Sequence, residues 1–385
     1  MKYTNIVCLD DLIRQEYSKA KEFFYNILRE PIKQATNIDI KSSPRFDNYQ
    51  NNMKDTFSID KFLAFFDKKW NYYYHQIPTE AEEYLADNIL SNTLIISYEI
   101  PIWLEKFCEK NKIDFIDIRI SPIKFARDLY ICIKTNNKKL THRFLKYKVL
   151  NEEIKLEASL LKAFGRYKSQ TPIASNSIIF VGQTADDASL VNEQGDFITV
   201  DDLNIDEIFR DKNVYYVGHP YAKEHSKLEF KNLKKYCNKI EILDDANIYN
   251  LMSSHSELEF ISISSGVIQE APYFDKQCQF LHKPICPIDD NNGYIQIHFK
   301  NIIEPIFWHK ILKPKKDKPK LKRLPDLQPN MLRTLHNAWW GYARFVSDFK
   351  YIDKEAFWLS GGNKLQNEIN ALQEALKRID TVCPK

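Results

Sequence analysis

Short apolar runs that end in polar residues recur along the first half of the chain. The run TLIISYEIP ends in a polar group and a proline, which is typical of a buried parallel strand followed by a loop. Strands are predicted at 93–101, 114–120 and 127–134, a helix at 102–113, and further helices at 11–35 and 54–90. This alternation predicts a first α/β domain over residues 1–170.

The same alternation restarts after a polar linker, KSQTPIASN at 168–176. Strands are predicted at 177–183, 213–220, 240–243, 258–266 and 278–288, with helices at 231–240 and 247–255 and a further helix that begins at VIQEAPYF. The pattern predicts a second, Rossmann-like domain over 177–312. A third segment, 313–385, holds a basic linker and two predicted helices, 329–349 and 363–379.

Composition excludes several protein classes. The chain has 385 residues, of which 44% are hydrophobic and 28% charged, so it can bury a sizeable core. The formal net charge is only +3, which argues against a general nucleic-acid coat. The seven cysteines are scattered and form no C-x-x-C pair, as expected for reduced thiols. With no signal peptide and no long apolar segment, a cytoplasmic protein is expected.

The segment KPKKDKPKLKR at 313–323 is strongly basic and contains two prolines that argue against a continuous helix. A solvated linker is one interpretation, because most charge runs are solvated. The alternative is a patch that touches an anionic membrane, where each basic residue contributes about 1 kcal/mol.

The loop after the first strand of the second domain carries candidate chemistry. VGQTADDAS presents Gln183, Asp186 and Asp187 at the carboxyl end of a predicted parallel strand, where ligands of open α/β sheets bind. A carboxylate there can act as a nucleophile or as an acid or base. The competing interpretation is that the aspartate caps a helix.

Two further strand ends carry polar residues. His219 and Lys223 follow the next strand, and an imidazole with an ammonium group suits an anionic ligand. Ser264, Ser265 and Gly266 come between a strand and a helix, where hydroxyl and backbone N–H groups can bind phosphate, with Glu270 one turn later. A His-Pro turn and an ordinary capped helix are the structural alternatives.

In the first domain, Glu99 ends a predicted strand and is a candidate general acid or base at an interdomain cleft. Arg119 and Arg127 are candidate ligands for a carboxylate, although ion pairs with Asp117 and Asp128 are the stronger expectation. The chain contains no P-loop motif, no G-x-G-x-x-G and no D-x-D, and its Asp doublets, Asp10-Asp11 among them, are interpreted as turn and cap residues.

Taken in order, these motifs resemble those of the bacterial retaining β-Kdo transferases that build capsule linkers and lipopolysaccharide O-antigens. The motifs are Gln183-x-x-x-Asp187-Ala-Ser, His219-Pro220-x-x-Lys223, and Ser264-Ser265-Gly266 with Glu270-Ala271, and the similarity covers mainly residues 93–290. The resemblance implies an α/β, GT-B-like fold: two Rossmann-like domains with a cleft between them and C-terminal helices that cross back.

The resemblance also implies a reaction. Kdo would move from CMP-β-Kdo to a glycan hydroxyl, on an acceptor that could be lipid-linked, with no metal and no other cofactor. Asp187 would be the nucleophile, with Asp186 as its alternative, and Glu99 would be the general base. Gln183, His219, Lys223, Ser264, Ser265, Gly266 and Glu270 would bind the donor, although the loop leaves open whether Gln269 or Glu270 faces the nucleotide. The protein would then work at the inner face of the inner membrane.

Two other functions fit the same residues. A sialyltransferase-like enzyme would also use a CMP-activated keto-sugar acid, and its donor would suit the same His and Ser residues. A noncatalytic scaffold that binds glycan would need no nucleophile at all.

Overall fold

The computed structural model describes residues 2–14, 18–40, 43–44, 53–168, 173–219, 222–243, 246–288, 293–315 and 330–340. Two five-stranded sheets organise these residues. The two-domain α/β architecture expected from the strand pattern is therefore confirmed, and a cleft lies between the domains.

The first half of the chain alternates between strands and helices. Its strands are β1 (Asn5–Cys8), β2 (Thr93–Tyr98), β3 (Asp114–Ile120) and β4 (Tyr130–Thr135). Its helices are α1 (Ser18–Thr36), α2 (Ile59–Leu63), α3 (Trp70–Tyr73), α4 (Thr79–Asn88), α5 (Ile102–Lys110), α6 (Lys138–Phe144) and α7 (Asn151–Lys168). Short 3₁₀ turns supplement them, including Leu145–Tyr147.

The second half supplies the other sheet and a return to the first. Its strands are β5 (Ser177–Val181), β6 (Asn213–Val217), β7 (Lys239–Ile242), β8 (Leu258–Ser262), β9 (Gln277–Phe280) and β10 (Ile295–His298). Its helices are α8 (Asp206–Phe209), α9 (Lys223–Leu233), α10 (Ile248–Ser253), α11 (Pro305–Leu312) and α12 (Met331–Trp340). The segment after β8, Gly266–Phe274, is a 3₁₀ helix.

The second sheet is entirely parallel, in the order β7-β6-β5-β8-β9. The chain runs outward from β5 on one side and from β8 on the other, so the strand order reverses between these two strands. Ligands of doubly wound sheets bind at such a reversal, outside the carboxyl ends of the strands. Gln183 follows β5 and Ser264 follows β8, which puts both residues at this point.

The first sheet has the order β1-β2-β3-β4-β10, with β1 to β3 parallel and the last two strands antiparallel to their neighbours. Strand β10 pairs with β4, and Phe307 and Trp308 of α11 are buried in the core of the first domain. Residues 295–312 therefore belong to the first domain, and not to the second domain of 177–312 that the sequence pattern predicts.

The two domains share an apolar core on the side of α7. Phe125 of the first domain packs edge-on against Phe274 of the second, with ring centroids 5.2 Å apart. Tyr130 and α7 contribute to the same buried cluster as Tyr249 of α10. Burial of this apolar surface holds the domains together beside the cleft.

Helix α12 returns to the first domain, as expected for the first C-terminal helix. The His336 ring packs edge-on against Phe23 of α1, and the Arg333 guanidinium donates to the carbonyl oxygens of Lys124 and Ala126. Residues 341–349 of this predicted helix, the whole of 363–379 and most of the basic run lie outside the described residues. Within the described part of the chain, no helix is long and apolar enough to cross a membrane.

Candidate functional site

The carboxyl ends of both sheets meet at a cavity of about 220 Å³. Residues from both domains line it, which is the arrangement that a two-substrate enzyme needs to bring donor and acceptor together. The first domain contributes Asp11, Arg14, Tyr74, Glu99, Arg119, Ile120 and Pro122. The second contributes Asp187, Ala188, Ser189, Ser264, Gly266 and Gln269, and the loop after β9 adds Pro284, Ile285 and Cys286.

Gln183 is buried behind the second-domain wall of the cavity and hydrogen bonds to residues of that wall. Its Oε1 accepts from the backbone N–H of Ser264 at 2.9 Å, and its Nε2 donates to the Ser264 Oγ at 3.0 Å. The Ser189 and Ser264 hydroxyls are 2.7 Å apart. Gln183 is buried and does not line the cavity, so it positions the two serines rather than contacting a ligand.

Asp187 caps a 3₁₀ helix and also lines the cavity. The position therefore agrees both with the helix-cap interpretation and with a carboxylate at the candidate site. Its Oδ1 accepts from the backbone N–H of Ser189 at 2.9 Å at the start of the 3₁₀ helix Ala188–Leu190. No described residue hydrogen bonds to Oδ2 or forms an ion pair with Asp187. The cap therefore orients the carboxylate and leaves one oxygen for a ligand.

Asp186, the alternative nucleophile, is exposed and does not line the cavity. Its backbone carbonyl accepts from Arg14 Nη2 at 2.7 Å, and this contact joins the loop to the first domain. The Arg14 guanidinium also stacks over the Trp70 ring, 4.1 Å from its centroid. The geometry favours Asp187 over Asp186 as the reactive carboxylate.

His219 and Lys223 have different environments. Burial lowers the pKa of His219, while the nearby Asp187 carboxylate opposes that effect by raising it. The neutral imidazole is therefore favoured at neutral pH. Lys223 is exposed at the first turn of α9, and neither residue lines the cavity. Pro220 between them lies outside the described residues.

Gly266 packs against Pro122 of the first domain beside the cavity. A Cβ at this position would lie 3.1 Å from the Cβ of Pro122. Contact with Pro122 in the other domain therefore favours glycine here, while the sequence pattern alone indicated close approach to a ligand. Ser265 precedes Gly266 and donates its backbone N–H to Ser262 Oγ, outside the cavity lining.

Glu270 lies at the joint between the domains and not in the cleft. It is fully buried, and its Oε1 accepts from the backbone N–H groups of Lys124 and Phe125. Its Oε2 accepts from the Tyr249 hydroxyl at 2.7 Å. The predicted role of Glu270 in donor binding does not fit, because its oxygens are engaged within the protein. Gln269 is the one of this pair that lines the cavity.

Glu99 is in the cavity, as the strand-end position predicts. Its backbone has a φ of 56°, a left-handed conformation that few residues other than glycine adopt. The backbone N–H of Glu99 donates to the Ile118 carbonyl, which anchors this turn at the end of β2. Strained conformations of this kind cost about 1–3 kcal/mol and concentrate at functional sites.

Arg119 combines the ion pair and the cavity-lining position that the sequence left as alternatives. Its Nε contacts the buried Asp117 carboxylate at 2.7 Å, and its Nη2 donates to the Ile100 carbonyl at 2.6 Å. Burial acts to lower the pKa of Arg119, but Asp117 and Tyr294 outweigh it and hold that pKa well above its usual value. Arg119 is thus a fixed cation at the cavity wall, whose Nη1 donates to no acceptor in the described part of the chain.

Arg127 is exposed and lies away from the cavity. Its backbone N–H donates to Glu157 of α7, and its carbonyl accepts from the Asn330 N–H ahead of α12. The predicted role of Arg127 in binding a substrate carboxylate does not fit this position.

Several cavity residues were missed by the sequence analysis. Asp11 and Arg14 follow β1, a four-residue strand that the hydrophobic pattern does not indicate. The interpretation of Asp11 as a turn residue is confirmed, because its Oδ1 accepts from the backbone N–H groups of Ile13 and Arg14, but the same residue also lines the cavity. Tyr74 directly follows the short helix α3 as its C-cap. Cys286 comes from a loop that Gln269 holds by donating to the Cys286 carbonyl at 2.9 Å. Among the described residues, no cluster of three or more His, Cys, Asp or Glu side chains could hold a metal ion.

Comparison with known proteins finds solved structures that are similar at low scores. No family model matches the chain, and no curated sequence is detectably similar to it. Among solved structures, KpsC of Thermosulfurimonas dismutans, a beta Kdo 2,7 transferase, has 15% identity and a TM-score of 0.34 over 60% of this chain and 80% of that one. UDP-GlcNAc 2-epimerase of Methanocaldococcus jannaschii has 15% identity and a TM-score of 0.24 over 82% of this chain and 95% of that one.

Proposed function

We propose that the protein is a retaining glycosyltransferase that moves Kdo from CMP-β-Kdo to a hydroxyl of a glycan acceptor in lipopolysaccharide O-antigen or capsule biosynthesis. The observation that carries this proposal is the shared cavity of Asp187, Glu99 and Arg119. Two carboxylates from different domains supply a nucleophile and a base, and the arginine supplies a fixed positive charge for an acidic sugar.

The donor nucleotide is assigned to the second domain. Ser189, Ser264 and the first turn of the 3₁₀ helix Gly266–Phe274 lie beside the cavity, at the reversal of strand order. Their hydroxyl and N–H groups can donate to a phosphate. His219, next to Asp187, would gain a proton when the anionic CMP binds. These donors stabilise the leaving phosphate in this proposal, and the reaction needs no metal.

Retention is assigned to two successive inversions. In the first, Oδ2 of Asp187 forms a bond to the anomeric carbon while the bond to the CMP phosphate oxygen breaks and CMP leaves. In the second, the acceptor oxygen displaces the Asp187 carboxylate from the same carbon, and Glu99 takes the proton of the acceptor hydroxyl. The capped but otherwise unpaired Asp187 suits the first step, because its charge is not neutralised by a cation in the described residues.

Arg119 is assigned to the Kdo carboxylate. An arginine can bind a carboxylate with a geometry that lysine cannot reproduce, and Asp117 and the Ile100 carbonyl hold this arginine in place. A carboxylate on the anomeric carbon repels an incoming nucleophile of the same charge. A cation at this wall therefore lowers the barrier to attack by Asp187.

The test is incubation of the full chain with CMP-Kdo and a panel of glycan acceptors, with NMR of the anomeric configuration of the product. A β-linked Kdo product supports the proposal. Turnover of CMP-sialic acid in place of CMP-Kdo would reassign the protein to the sialyltransferase-like alternative. Binding of glycan without turnover of either donor would indicate the noncatalytic scaffold.

A further inference from the structure

The segment from the 3₁₀ turn Leu145–Tyr147 through α7 exposes an unusual amount of apolar surface. Leu145 is 49% exposed, Leu150 62%, and Leu156 and Leu160 68% each. Leu156 and Leu160 are four residues apart and therefore share one face of α7. The opposite face, with Ile154, Ala158 and Leu161, is buried against the second domain. We call Leu156 and Leu160 the leucine face; Leu145 and Leu150 lie in the residues just before it.

Exposed lysines accompany the leucine face. Lys138 and Lys139 of α6, Lys146 of the 3₁₀ turn, and Lys155 of α7 are all exposed. Glu152 is exposed, and the Glu153 side chain is 39% exposed beside His298. Glu153 and Glu157 also accept from the Tyr130 hydroxyl, and the lysines still outnumber these three acids. The surface thus combines large apolar side chains with an excess of positive charge.

The basic run that begins at Lys313 starts beside the same surface. Arg143 at the end of α6 donates to the Ile311 carbonyl in the last turn of α11, and the Tyr147 ring packs edge-on against Phe307, 4.9 Å between centroids. Lys313 and Lys315 follow α11 and are exposed. Two parts of the chain far apart in sequence therefore bring lysines to the same side of the first domain.

We propose that the leucine face docks on an anionic phospholipid surface, with the leucines in the interfacial region and the lysines at the headgroups. Apolar side chains flanked by lysines are what such a surface binds, through burial of the leucines and attraction of the cations. A second copy of the chain is a poorer occupant, because symmetric pairing brings the same lysines together and like charges repel. This docking is independent of the proposed transfer reaction, and its test involves no substrate.

The experiment is co-sedimentation of the full chain with vesicles of phosphatidylcholine alone or mixed with phosphatidylglycerol. Wild type is expected to bind the anionic vesicles, to bind less as salt is added, and to ignore the neutral ones. Leu156→Gln with Leu160→Gln should weaken binding about tenfold or more, since each leucine loses much of its transfer energy. Lys146→Gln with Lys155→Gln should weaken it about tenfold as well.

Matched controls come from α9 in the second domain. Leu228 is 55% exposed, so Leu228→Gln removes a comparable apolar side chain and should leave vesicle binding unchanged, as should Lys231→Gln with Lys234→Gln. Circular dichroism checks the fold of each variant, and Leu145→Gln with Leu150→Gln is a second test should the α7 pair unfold. Wild-type binding to neutral and anionic vesicles alike, or no loss in either leucine pair, overturns the proposal. So does a wild-type dimer that the leucine variants convert to monomer while no vesicle binding occurs.

Discussion

Gln183 and Ser264 are 81 residues apart in the chain, yet the Gln183 amide holds the Ser264 backbone N–H at 2.9 Å and its hydroxyl at 3.0 Å. This pair joins the end of β5 to the end of β8 at the point where the strand order reverses. These hydrogen bonds therefore fix the position of the loop that carries Asp187 relative to the loop that carries Gly266.

Gln183→Leu should destabilise the protein and weaken donor binding. Leucine has a similar size but leaves the Ser264 N–H without its acceptor, and an unsatisfied buried polar group costs about 1–3 kcal/mol. Calorimetry should show a lower unfolding temperature, and titration with CMP should show a weaker Kd. A variant with unchanged CMP affinity would show that the serines need no such positioning.

Asp187→Asn should abolish transfer while keeping the fold and CMP binding. Asparagine can still accept from the Ser189 N–H, so the cap remains, but the nucleophile loses its charge. Intact-protein mass spectrometry of wild type with CMP-Kdo and no acceptor should detect one Kdo on a peptide that contains Asp187.

The neighbouring Asp186→Asn is the matched control, because Asp186 is exposed and outside the cavity lining. It should retain most of the activity. Full activity in Asp187→Asn, or an adduct on Asp186 or Glu99, would refute the assignment of the nucleophile.

The pKa of His219 should be below that of a free histidine and should fall further in Asp187→Asn. Burial lowers this pKa, and the Asp187 carboxylate is what raises it, so removal of the charge leaves the lowering effect unopposed. NMR titration of the imidazole checks both values. Addition of CMP should raise the pKa of His219 in wild type, and no response to CMP would separate His219 from the donor.

Glu270 should make stability depend on pH between its unfolded and folded pKa values. Burial raises its pKa from 4.5 to about 7, so the folded protein binds the proton more tightly than the unfolded chain does. This contribution is fully present below pH 4.5 and is lost as the pH rises to about 7.

The free energy of unfolding of wild type relative to Glu270→Gln should therefore decrease from pH 5 to pH 7 by roughly 1–3 kcal/mol. Denaturant titrations at several pH values measure the difference. The opposite slope would mean that the Lys124 and Phe125 N–H groups stabilise the carboxylate more than burial destabilises it.

Arg119→Lys should cost about 1–3 kcal/mol of stability, because a single ammonium group cannot donate to both the Asp117 carboxylate and the buried Ile100 carbonyl as the guanidinium does. It should also weaken use of CMP-Kdo, since lysine cannot reproduce the geometry of the guanidinium. Arg127→Lys, at an exposed position, is the control and should change neither property. Equal effects of the two substitutions would remove Arg119 from the site.

The sequence pattern predicted strands and their end residues best where an apolar run is followed directly by polar residues. The pattern placed β3 at its observed bounds, and the strand-end positions of Glu99, Asp187 and Ser264 were enough to bring these residues to one cavity. Parallel strands expose their carboxyl ends at one edge, so topology converts order along the chain into proximity.

Other residues depended on details that no pattern carries. Strand β1 is only four residues long, so Asp11 and Arg14 were not recognised as strand-end residues. Gln269 and Glu270 are adjacent in one 3₁₀ helix, and no hydrophobic pattern distinguishes Gln269, which lines the cavity, from Glu270, which is buried. Arg127 does not line the cavity, and its backbone hydrogen bonds to Glu157 of α7 and to Asn330 ahead of α12 are long-range contacts that no local pattern indicates.

The pairing of β10 with β4 has a consequence for the order in which the chain can fold during synthesis. The second domain is continuous from β5 to β9, so all its strands are available once residue 280 has been made. The first domain begins at residue 5 but lacks its fifth strand until residue 298 and its buried Phe307 and Trp308 until later still. The domain that is translated first is therefore completed last, and until then it exposes an open sheet edge along β4 to the ribosome and its chaperones.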